Sequence, residues 1–301
     1  MFKCTQKDFS LAAVIDSGQV FRLRHLAEGC YLALSDSHGV VIRQEGEHLL
    51  FYCPEEEFHS FWYDYFDLKR DYGKIAASID PDDAFLTAAL AYGQGLRVLK
   101  QDLWEMIVSF LISQNNNISR IRNSIEAMCV RFGEEITVEW PEAGSLPPGF
   151  SFPRLYAFPT PEALCSGGIE GLSGLGLGYR DKYILRMAQR CCGEEGRAWL
   201  RQLKQCDYPG AVSLLLQEFG IGRKVADCIC LFALHHVDAF PVDTHIRQIL
   251  DACYPDGFPF ERYEGYAGIL QQYMFYYKLS LPRKQALDTA ETNTKEPDAA
   301  E

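Results

Sequence analysis

Two short stretches, GIGRKVAD at residues 220–227 and PVDTH at residues 241–245, carry most of the information about fold and function. The first is a glycine-punctuated turn that runs into a helix, which apolar residues at i, i+3, i+4 and i+7 predict. Such a turn exposes free backbone N–H groups, which suit a phosphate. Lys224 lies at this helix N-terminus, where the helix dipole disfavours the protonated amine. The pattern predicts a helix, a hairpin built on Gly220 and Gly222, and a second helix.

Asp243 follows Lys224 by nineteen residues and precedes another helical segment. A carboxylate beside an amine is the acid–base and electrostatic partner that covalent chemistry requires. Each residue also has an ordinary explanation, since a lysine after a turn is usually a surface charge and Asp243 is a good N-cap. Taken together, the phosphate site, the amine and the carboxylate indicate covalent chemistry on a nucleic acid.

These stretches resemble the helix-hairpin-helix glycosylases, and further motifs narrow the resemblance to the 8-oxoguanine DNA glycosylase/AP lyase family, in a bacterial-type member. The further motifs follow the family's order: SGQVFR at 17–22, SQNNNISR at 113–120, LGLGYR at 175–180, and YAG at 266–268 with Gln271 and Phe275. Any one of these motifs would be weak. Their occurrence in order over nearly the whole chain makes the resemblance specific.

The predicted fold class is α+β, with an N-terminal antiparallel β-sheet domain followed by an all-helical helix-hairpin-helix domain. Alternating apolar and polar residues predict strands near 20–24, 31–34, 40–43 and 49–52. Helical spacing begins at Glu55, and helices are predicted over 99–112 and 118–132, then from about 160 to 279. The predicted divisions are 1–90 for the sheet domain with flanking helices, 91–284 for the helical domain, and 285–301 for a disordered acidic tail.

The resemblance implies a role for Lys224 as the nucleophile that attacks C1′ of the damaged nucleotide. It implies that Asp243 stabilises the oxocarbenium-like sugar and assists proton movement. The resulting Schiff base would then permit β-elimination of the 3′ phosphate. No metal and no organic cofactor is required by this chemistry, so none is expected.

The resemblance also implies a pocket for the extruded base. Phe275 would stack on the base, Gln271 would bind its Watson–Crick edge, and Cys228 would form the opposite wall. Gly18 would supply selectivity through its main-chain carbonyl, because 8-oxoguanine carries a proton on N7 where guanine presents an acceptor. Glycine permits that close approach of the backbone.

Contacts with duplex DNA are implied at seven further positions. One asparagine fills the gap left by the base, two arginines read the orphaned partner base, and a tyrosine wedge buckles the duplex. The hairpin glycines and a histidine hold phosphates. In that order these residues are Asn115, Arg120 and Arg180, Tyr179, Gly220 and Gly222, and His245.

Composition sets bounds on this interpretation. The net charge of −12 is unusual for a duplex-binding protein, although part of the acidity lies in the tail. The motif segments bring a set of cations that phosphates would meet locally: Arg120, Arg122, Arg180, Lys182, Arg223, Lys224, His245 and Arg247. Eleven cysteines without a repeating framework indicate a reduced, cytoplasmic protein. A single cysteine, Cys253, follows Asp243, which argues against an iron–sulfur cluster. The expected partner is damaged double-stranded DNA, with no membrane association and a monomeric state.

Two alternatives remain open from the residues alone. One is a helix-hairpin-helix glycosylase for another damaged purine, which would use the aspartate but need no lysine. The other is a non-catalytic DNA-binding module. The joint presence of Lys224, Asp243, Gln271 and Phe275 argues against both.

Overall fold

The computed structural model describes residues 1–142 and 146–281, and it begins with a five-stranded antiparallel sheet. The spatial order of the strands is β1-β5-β4-β3-β2. Their bounds are β1 Phe2–Thr5, β2 Leu23–Ala27, β3 Cys30–Ser35, β4 His38–Glu45 and β5 His48–Phe51. An N-terminal antiparallel sheet is therefore confirmed. The sequence prediction misses β1, and it begins β2 at Val20 instead of Leu23.

Helices make up most of the remaining described chain. The first seven are α1 Leu11–Asp16, α2 Glu55–Glu57, α3 Tyr63–Tyr65, α4 Tyr72–Ala77, α5 Ala84–Tyr92, α6 Leu103–Ser113 and α7 Ile118–Phe132. A two-stranded sheet follows, with β6 Glu135–Ile136 and β7 Leu155–Tyr156. The last helices are α8 Pro161–Leu172, α9 Asp181–Cys191, α10 Gly193–Gln205, α11 Tyr208–Leu215, α12 Arg223–Phe232, α13 Thr244–Cys253 and α14 Ala267–Ser280. A sheet followed by a helical region confirms the α+β class.

Three helix N-termini decide where the candidate site residues lie. The side chain of Asn117 accepts a hydrogen bond from Arg120 N at 3.0 Å and caps α7, which has the predicted bounds. Asp243 caps α13 in the same way, with Oδ1 accepting from Ile246 N at 2.9 Å. The helix α12 begins after Gly222, which has no side chain to cap it. Its first N–H groups are therefore available to an anion.

One face of the sheet and the helices share the main hydrophobic core. A smaller cluster, which includes Leu32, Val41 and Leu155, lies on the alternate residues of the same strands, against β6 and β7. A buried ion pair crosses the junction, with Arg22 Nη1 3.3 Å from Glu105 Oε2. The same carboxylate accepts from the N–H of Asp36 at 2.9 Å. Burial raises the pKa of Glu105 to about 7, although Arg22 opposes this shift. Because Glu105 lies on α6, whose residues Leu103 to Ile112 are all buried, this helix anchors the sheet to the helical region.

The proposed division at residues 90 and 91 falls within the last turn of α5 and stays a prediction. The predicted tail at 285–301, and the last residues of the predicted helical domain, lie outside the described residues. Within the described ranges, no helix has the length and apolar character needed to cross a membrane.

Candidate active site

A small cavity of about 60 Å³ adjoins a groove of about 1270 Å³. All four predicted pocket residues line the cavity. Of the predicted DNA-binding residues, four line the groove: Asn115, Arg120, Gly222 and His245. Five residues line both spaces, and they mark the mouth of the cavity: Gly18, Phe110, Lys224, Asp243 and Phe275. The structure thus brings the predicted nucleophile and carboxylate together where the groove meets the cavity.

Lys224 lies half-buried in the first turn of α12, between an aromatic ring and a thiol. Its Nζ is 5.6 Å from the centroid of the Phe110 ring. Cys228 lies one turn later, and its buried side chain interacts with the amine. Burial raises the pKa of the Cys228 thiol, while the neighbouring Lys224 lowers it in part, so the thiol wall is neutral. Within residues 1–142 and 146–281, Lys224 forms no ion pair that would restrain its side chain.

The adjacent Arg223 behaves differently from Lys224. Its Nε lies 2.9 Å from Asp227 Oδ2, one turn along the same helix, and its Nη2 donates to Tyr208 at 3.2 Å. This pairing raises the pKa of Arg223, because it favours the charged guanidinium. The carboxylate on α12 is consequently occupied by Arg223, so Lys224 faces the cavity without a carboxylate partner on its own helix.

Asp243 combines a structural role with a position at the cavity. One carboxylate oxygen, Oδ1, caps α13 through its bond to Ile246 N. The second oxygen accepts no hydrogen bond from any residue that the structure describes. Capping fixes the orientation of the side chain, while the residue still lines both the cavity and the groove. The capping explanation and the catalytic one therefore hold at the same time.

The inner wall of the cavity contains an unused hydrogen-bond acceptor. Gln271 is buried, and its Nε2 donates to Pro241 O at 3.0 Å. Its Oε1 is buried without a hydrogen-bond partner. Buried acceptors without a partner are uncommon in native proteins, so this atom is suited to a ligand that brings a donor. Phe275, one turn later on α14, supplies a flat apolar face beside it.

Gly18 lies at the mouth of the cavity in a conformation that favours glycine, with φ of +77°. A Cβ built at this position would be 3.3 Å from Ile118 Cδ1 and 3.5 Å from Phe275 Cε1. Any larger residue would therefore be strained and would narrow the entrance. The backbone of this loop can approach a ligand more closely than a side chain would allow.

The asparagine run and Arg180 form one assembly at the edge of the groove. Asn115 is exposed and has a left-handed backbone, with φ of +48°. Arg180 is buried and donates to the carbonyls of Gln114, Asn115 and Leu177 at 2.8, 2.9 and 3.1 Å. Its guanidinium stacks on Tyr179, which is 52% exposed. In this DNA-free structure Arg180 supports the loop, whereas Arg120 is exposed at the groove.

The hairpin is packed against the asparagine run. Gln114 Nε2 donates to the carbonyl of Gly220 at 3.0 Å. A Cβ at Gly220, where φ is +89°, would lie 2.9 Å from the ring of Tyr183, so a larger residue does not fit. At Gly222 the surrounding space is open. Gly222 thus leaves the helix N-terminus accessible from the groove.

Five residues of the cavity were not among the predicted site residues, and one cation was misplaced. The five are Gln19, Phe110, Phe232, Pro241 and Gln272. Phe110 forms the wall next to Lys224 and stacks on Phe232 at 5.6 Å, but in the sequence it looks like any core residue of an apolar helix. Gln272 also lines the cavity, and its place in an apolar helix was a usable signal. Arg122 was counted among cations facing phosphate, yet it donates to the carbonyl of Ile15 at 3.1 Å.

The described part of the chain holds no group of three or more His, Cys, Asp or Glu side chains arranged to bind a metal ion. The cavity is instead lined by one amine, one carboxylate, three amides and apolar walls. This set of groups suits nucleophilic and acid–base chemistry on a flat, polar-edged ligand.

Comparison with known proteins is consistent with this geometry. Residues 1–107 match the family model for the 8-oxoguanine DNA glycosylase N-terminal domain, and residues 108–256 match that for the HhH-GPD superfamily of base excision DNA repair proteins. A relative from Saccharomyces cerevisiae, an N-glycosylase/DNA lyase, is 32% identical over 269 residues, which cover 81% of this chain and 68% of the yeast protein.

Two solved structures share the fold over almost the whole chain. A structure of MBOgg1 in complex with a low-affinity DNA ligand has a TM-score of 0.82 and 33% identity, covering 92% of this chain and 94% of that one. The 8-oxoguanine glycosylase/lyase of Clostridium acetobutylicum, in complex with double-stranded DNA containing cytosine opposite 8-oxoguanine, has a TM-score of 0.79 and 31% identity, covering 90% and 92%. This chain belongs to the 8-oxoguanine DNA glycosylase family within the HhH-GPD superfamily.

Proposed function

We propose that this protein is a bifunctional DNA glycosylase/AP lyase that excises 8-oxoguanine from duplex DNA during base excision repair. The observation that carries the proposal is the position of Lys224 and Asp243, which both line the cavity and the groove. An extruded base in the cavity would have its sugar at this mouth, within reach of both side chains. The names of the yeast and Clostridium relatives support the same activity.

The first step replaces the base by the enzyme. The lone pair of Lys224 Nζ attacks C1′ of the extruded nucleotide, and the N9–C1′ bond breaks with its electron pair going to the base. The base takes up a proton and leaves as free 8-oxoguanine. Asp243 stabilises the positive charge that develops on the sugar, through the carboxylate oxygen that α13 does not use.

The second step cleaves the strand. The sugar ring opens, and the bond between Lys224 and C1′ becomes a protonated imine. This cation acidifies C2′, so a proton leaves from C2′ and the bond from C3′ to the phosphate oxygen breaks. Water then hydrolyses the imine, which frees the amine and leaves an unsaturated aldehyde at the 3′ end. Each step uses only groups of this chain and water.

Selection of the lesion would occur in the cavity. Gln271 Oε1, which is buried without a partner, can accept a hydrogen bond from the Watson–Crick edge of the base. Phe275 and Cys228, which both line the cavity, would form the two walls on either side of a flat base. The main-chain carbonyl of Gly18 would accept a hydrogen bond from the N7–H of 8-oxoguanine, whereas guanine presents a lone pair there. A mismatch of buried polar groups gives strong discrimination.

Binding of the duplex would occur along the groove. Asn115 would fill the gap left by the base, Tyr179 would wedge the stack, and Arg120 and Arg180 would read the partner base. The Clostridium relative is solved with cytosine opposite 8-oxoguanine, which supports cytosine as the preferred partner. Phosphates would bind at the uncapped N-terminus of α12, where Gly220 and Gly222 lie, and beside His245 in the first turn of α13.

We also propose that the protein acts as a monomer in a reducing compartment such as the cytoplasm. All residues of the candidate site come from one chain, so a second copy is not needed to complete it. The eleven cysteines are free thiols, which is typical of proteins from reducing compartments.

The two alternatives differ in the reaction that they allow. A glycosylase for another purine lesion that uses only Asp243 would release a base without forming a covalent adduct. A non-catalytic module would bind DNA without changing it. Because Lys224 is at the mouth of the cavity, we expect an adduct with 8-oxoguanine DNA.

Borohydride trapping on a duplex with 8-oxoguanine opposite cytosine tests the proposal. The unmodified protein should give a covalent adduct and a nicked strand. Lys224→Gln should give neither, and it should still bind the lesion duplex with affinity within about threefold, because binding uses the groove and the cavity. A trapped adduct in the Lys224→Gln variant would overturn the assignment of the nucleophile. Absence of base release by the unmodified protein would overturn the proposed function.

A further inference from the structure

We infer that Arg122 and Gln272 are positioning residues that orient the main-chain carbonyl of Gly18 for reading the extruded base. The loop between α1 and β2 brings Gly18 to the mouth of the cavity. Glycine has no side chain, so this position can offer only its main-chain groups to a ligand. The inference rests on the proposed function, because that function assigns the base to the cavity.

Arg122, on α7, holds both ends of this loop. Its Nη2 donates to the carbonyl of Ile15 at 3.1 Å and to that of Val20 at 3.5 Å. No carboxylate among the described residues pairs with the guanidinium, and its Nε is buried without a partner. The side chain is therefore directed to the two loop carbonyls alone. One planar group that bridges both ends of a turn limits how far the turn can open.

Two buried glutamines hold the middle of the loop, on either side of Gly18. Gln272 Nε2 donates to the carbonyl of Ser17 at 2.8 Å, and Gln272 is 2% exposed. Gln101 Nε2 donates to the carbonyl of Gln19 at 3.0 Å. A buried carbonyl left without a donor is unfavourable, so these bonds restrict the backbone strongly.

Gly18 differs from its two neighbours in the loop, whose carbonyls accept hydrogen bonds from glutamine side chains. Its carbonyl accepts no hydrogen bond from any residue in the described ranges, although the neighbouring carbonyls on both sides do. The loop is consequently held by its other acceptors, and one acceptor is left for a ligand. A donor at N7 of the base would complete the set, and a lone pair at N7 would face this oxygen unfavourably.

The position of the two residues separates them from the chemistry. Arg122 lines neither the cavity nor the groove, and it forms no hydrogen bond or ion pair with Lys224 or Asp243. Gln272 lies in the cavity wall, but within the described ranges its side chain forms a hydrogen bond to the loop alone. An effect of either residue on base excision should therefore pass through Gly18.

A comparison of two duplexes tests the inference, one with 8-oxoguanine opposite cytosine and one with an abasic site opposite cytosine. The abasic site contains no base, so nicking of that duplex depends on the chemistry but not on base reading. Gln272→Met and Arg122→Met should each lower the single-turnover rate on 8-oxoguanine about 10-fold, the effect of about 1.4 kcal/mol. Nicking at the abasic site should change by less than about twofold.

Matched controls exist on the same two helices. Tyr273 follows Gln272 on α14, and its buried hydroxyl donates to the carbonyl of Leu96 at 2.8 Å, away from the site. Arg131, on α7 like Arg122, donates to two carbonyls at the end of α8, those of residues 171 and 173. Tyr273→Phe and Arg131→Met should leave the ratio of the two rates unchanged.

Further variants decide the inference. Arg122→Lys, which keeps one donating nitrogen, should give an intermediate ratio, and it serves if Arg122→Met does not fold. The double variant Arg122→Met with Gln272→Met should lose less than the product of the single losses, because both act on one loop. An equal fall on both duplexes, or no fall on either, would overturn the inference. Failure of the unmodified protein to nick the abasic duplex would instead overturn the proposed function.

Discussion

The cavity and the groove share five residues, yet they are built in opposite ways. Polar side chains in the cavity, such as Gln271 and Gln272, are buried and fixed by hydrogen bonds to the main chain. Side chains at the edge of the groove, such as Asn115, Arg120 and Tyr179, are exposed. The cavity is therefore organised before any ligand arrives, while the groove acquires its contacts only when DNA binds.

This difference leads to a general expectation for variants. Changes in the cavity should affect the reaction equally whichever base lies opposite the lesion. Changes in the groove should alter the preference for the opposite base more than the rate with the preferred one. The predictions below test this separation, beginning with the largest effect.

Asp243→Asn should have the largest effect. Asparagine still caps α13, so the melting temperature should change by less than about 2 °C. Loss of the charge should lower the single-turnover rate on 8-oxoguanine by about 100- to 1000-fold, by the same factor opposite cytosine and opposite adenine. Rates from quenched assays and melting curves give both quantities. A large loss of stability with near-normal turnover would mean that Asp243 is only a helix cap.

Gln271→Met should have the next largest effect, because it removes the unused acceptor in the cavity while keeping a similar volume. The excision rate on 8-oxoguanine should fall about 10- to 100-fold, equally opposite cytosine and adenine. Gln217→Met provides a control, since Gln217 is exposed and, among the described residues, its side chain forms a hydrogen bond to the carbonyl of Ser213 alone. If Gln271→Met changed the preference for the base opposite the lesion, the cavity and the groove would not act independently.

Arg180→Ala should have the smallest effect on the excision rate opposite cytosine and the clearest effect on the preference for the base opposite the lesion. We expect the unmodified protein to act faster opposite cytosine than opposite adenine by about 1–3 kcal/mol, the usual cost of one wrong base contact. Removal of Arg180 should flatten this preference, because the donors that fit cytosine are lost and the carbonyls of Gln114 and Asn115 are no longer held. The rate opposite cytosine should fall less than about fivefold.

Arg197→Ala removes exposed ion pairs with Glu162 and Glu194. Because Arg197 lines neither the cavity nor the groove, this variant should leave the preference unchanged. Single-turnover rates with all four partner bases measure this preference. Equal rates in the unmodified protein would contradict the proposal that the groove reads the partner base.

Local signals allowed much of the fold to be predicted from sequence. The helix α7 has its predicted bounds because Asn117 caps its start and Gly133 follows its end. The strand β1 was missed because it is four residues long and is defined by its pairing with β5, which no local pattern records. A π-helix at Phe58–Trp62 within the predicted helical stretch was equally invisible, although the aromatic packing there was expected.

Site residues that lie in recognisable motifs could be predicted from the sequence. Residues whose roles depend on tertiary contacts could not. Lys224 and Asp243 were identified from two short stretches, and they line one cavity. Arg122 and Arg223 were both counted among the cations that phosphates would meet, because the sequence gives their charge but not their contacts. In the structure Arg122 bonds to loop carbonyls, and Arg223 pairs with Asp227. The partner of Arg122 is distant in the chain, and Asp227 is one of several acidic residues that Arg223 could contact. Composition alone could therefore not identify either partner.

The two family matches meet between residues 107 and 108, which is the middle of α6. Every residue of that helix from Leu103 to Ile112 is buried, and Glu105 pairs there with Arg22 of the sheet region. A hybrid gene that joined halves of two relatives at this point would unite two half-helices shaped for different neighbours. We expect recombination to succeed only when α6 is inherited whole together with a matching Arg22. The boundary between the two family matches is therefore not a point at which segments of two relatives can be joined.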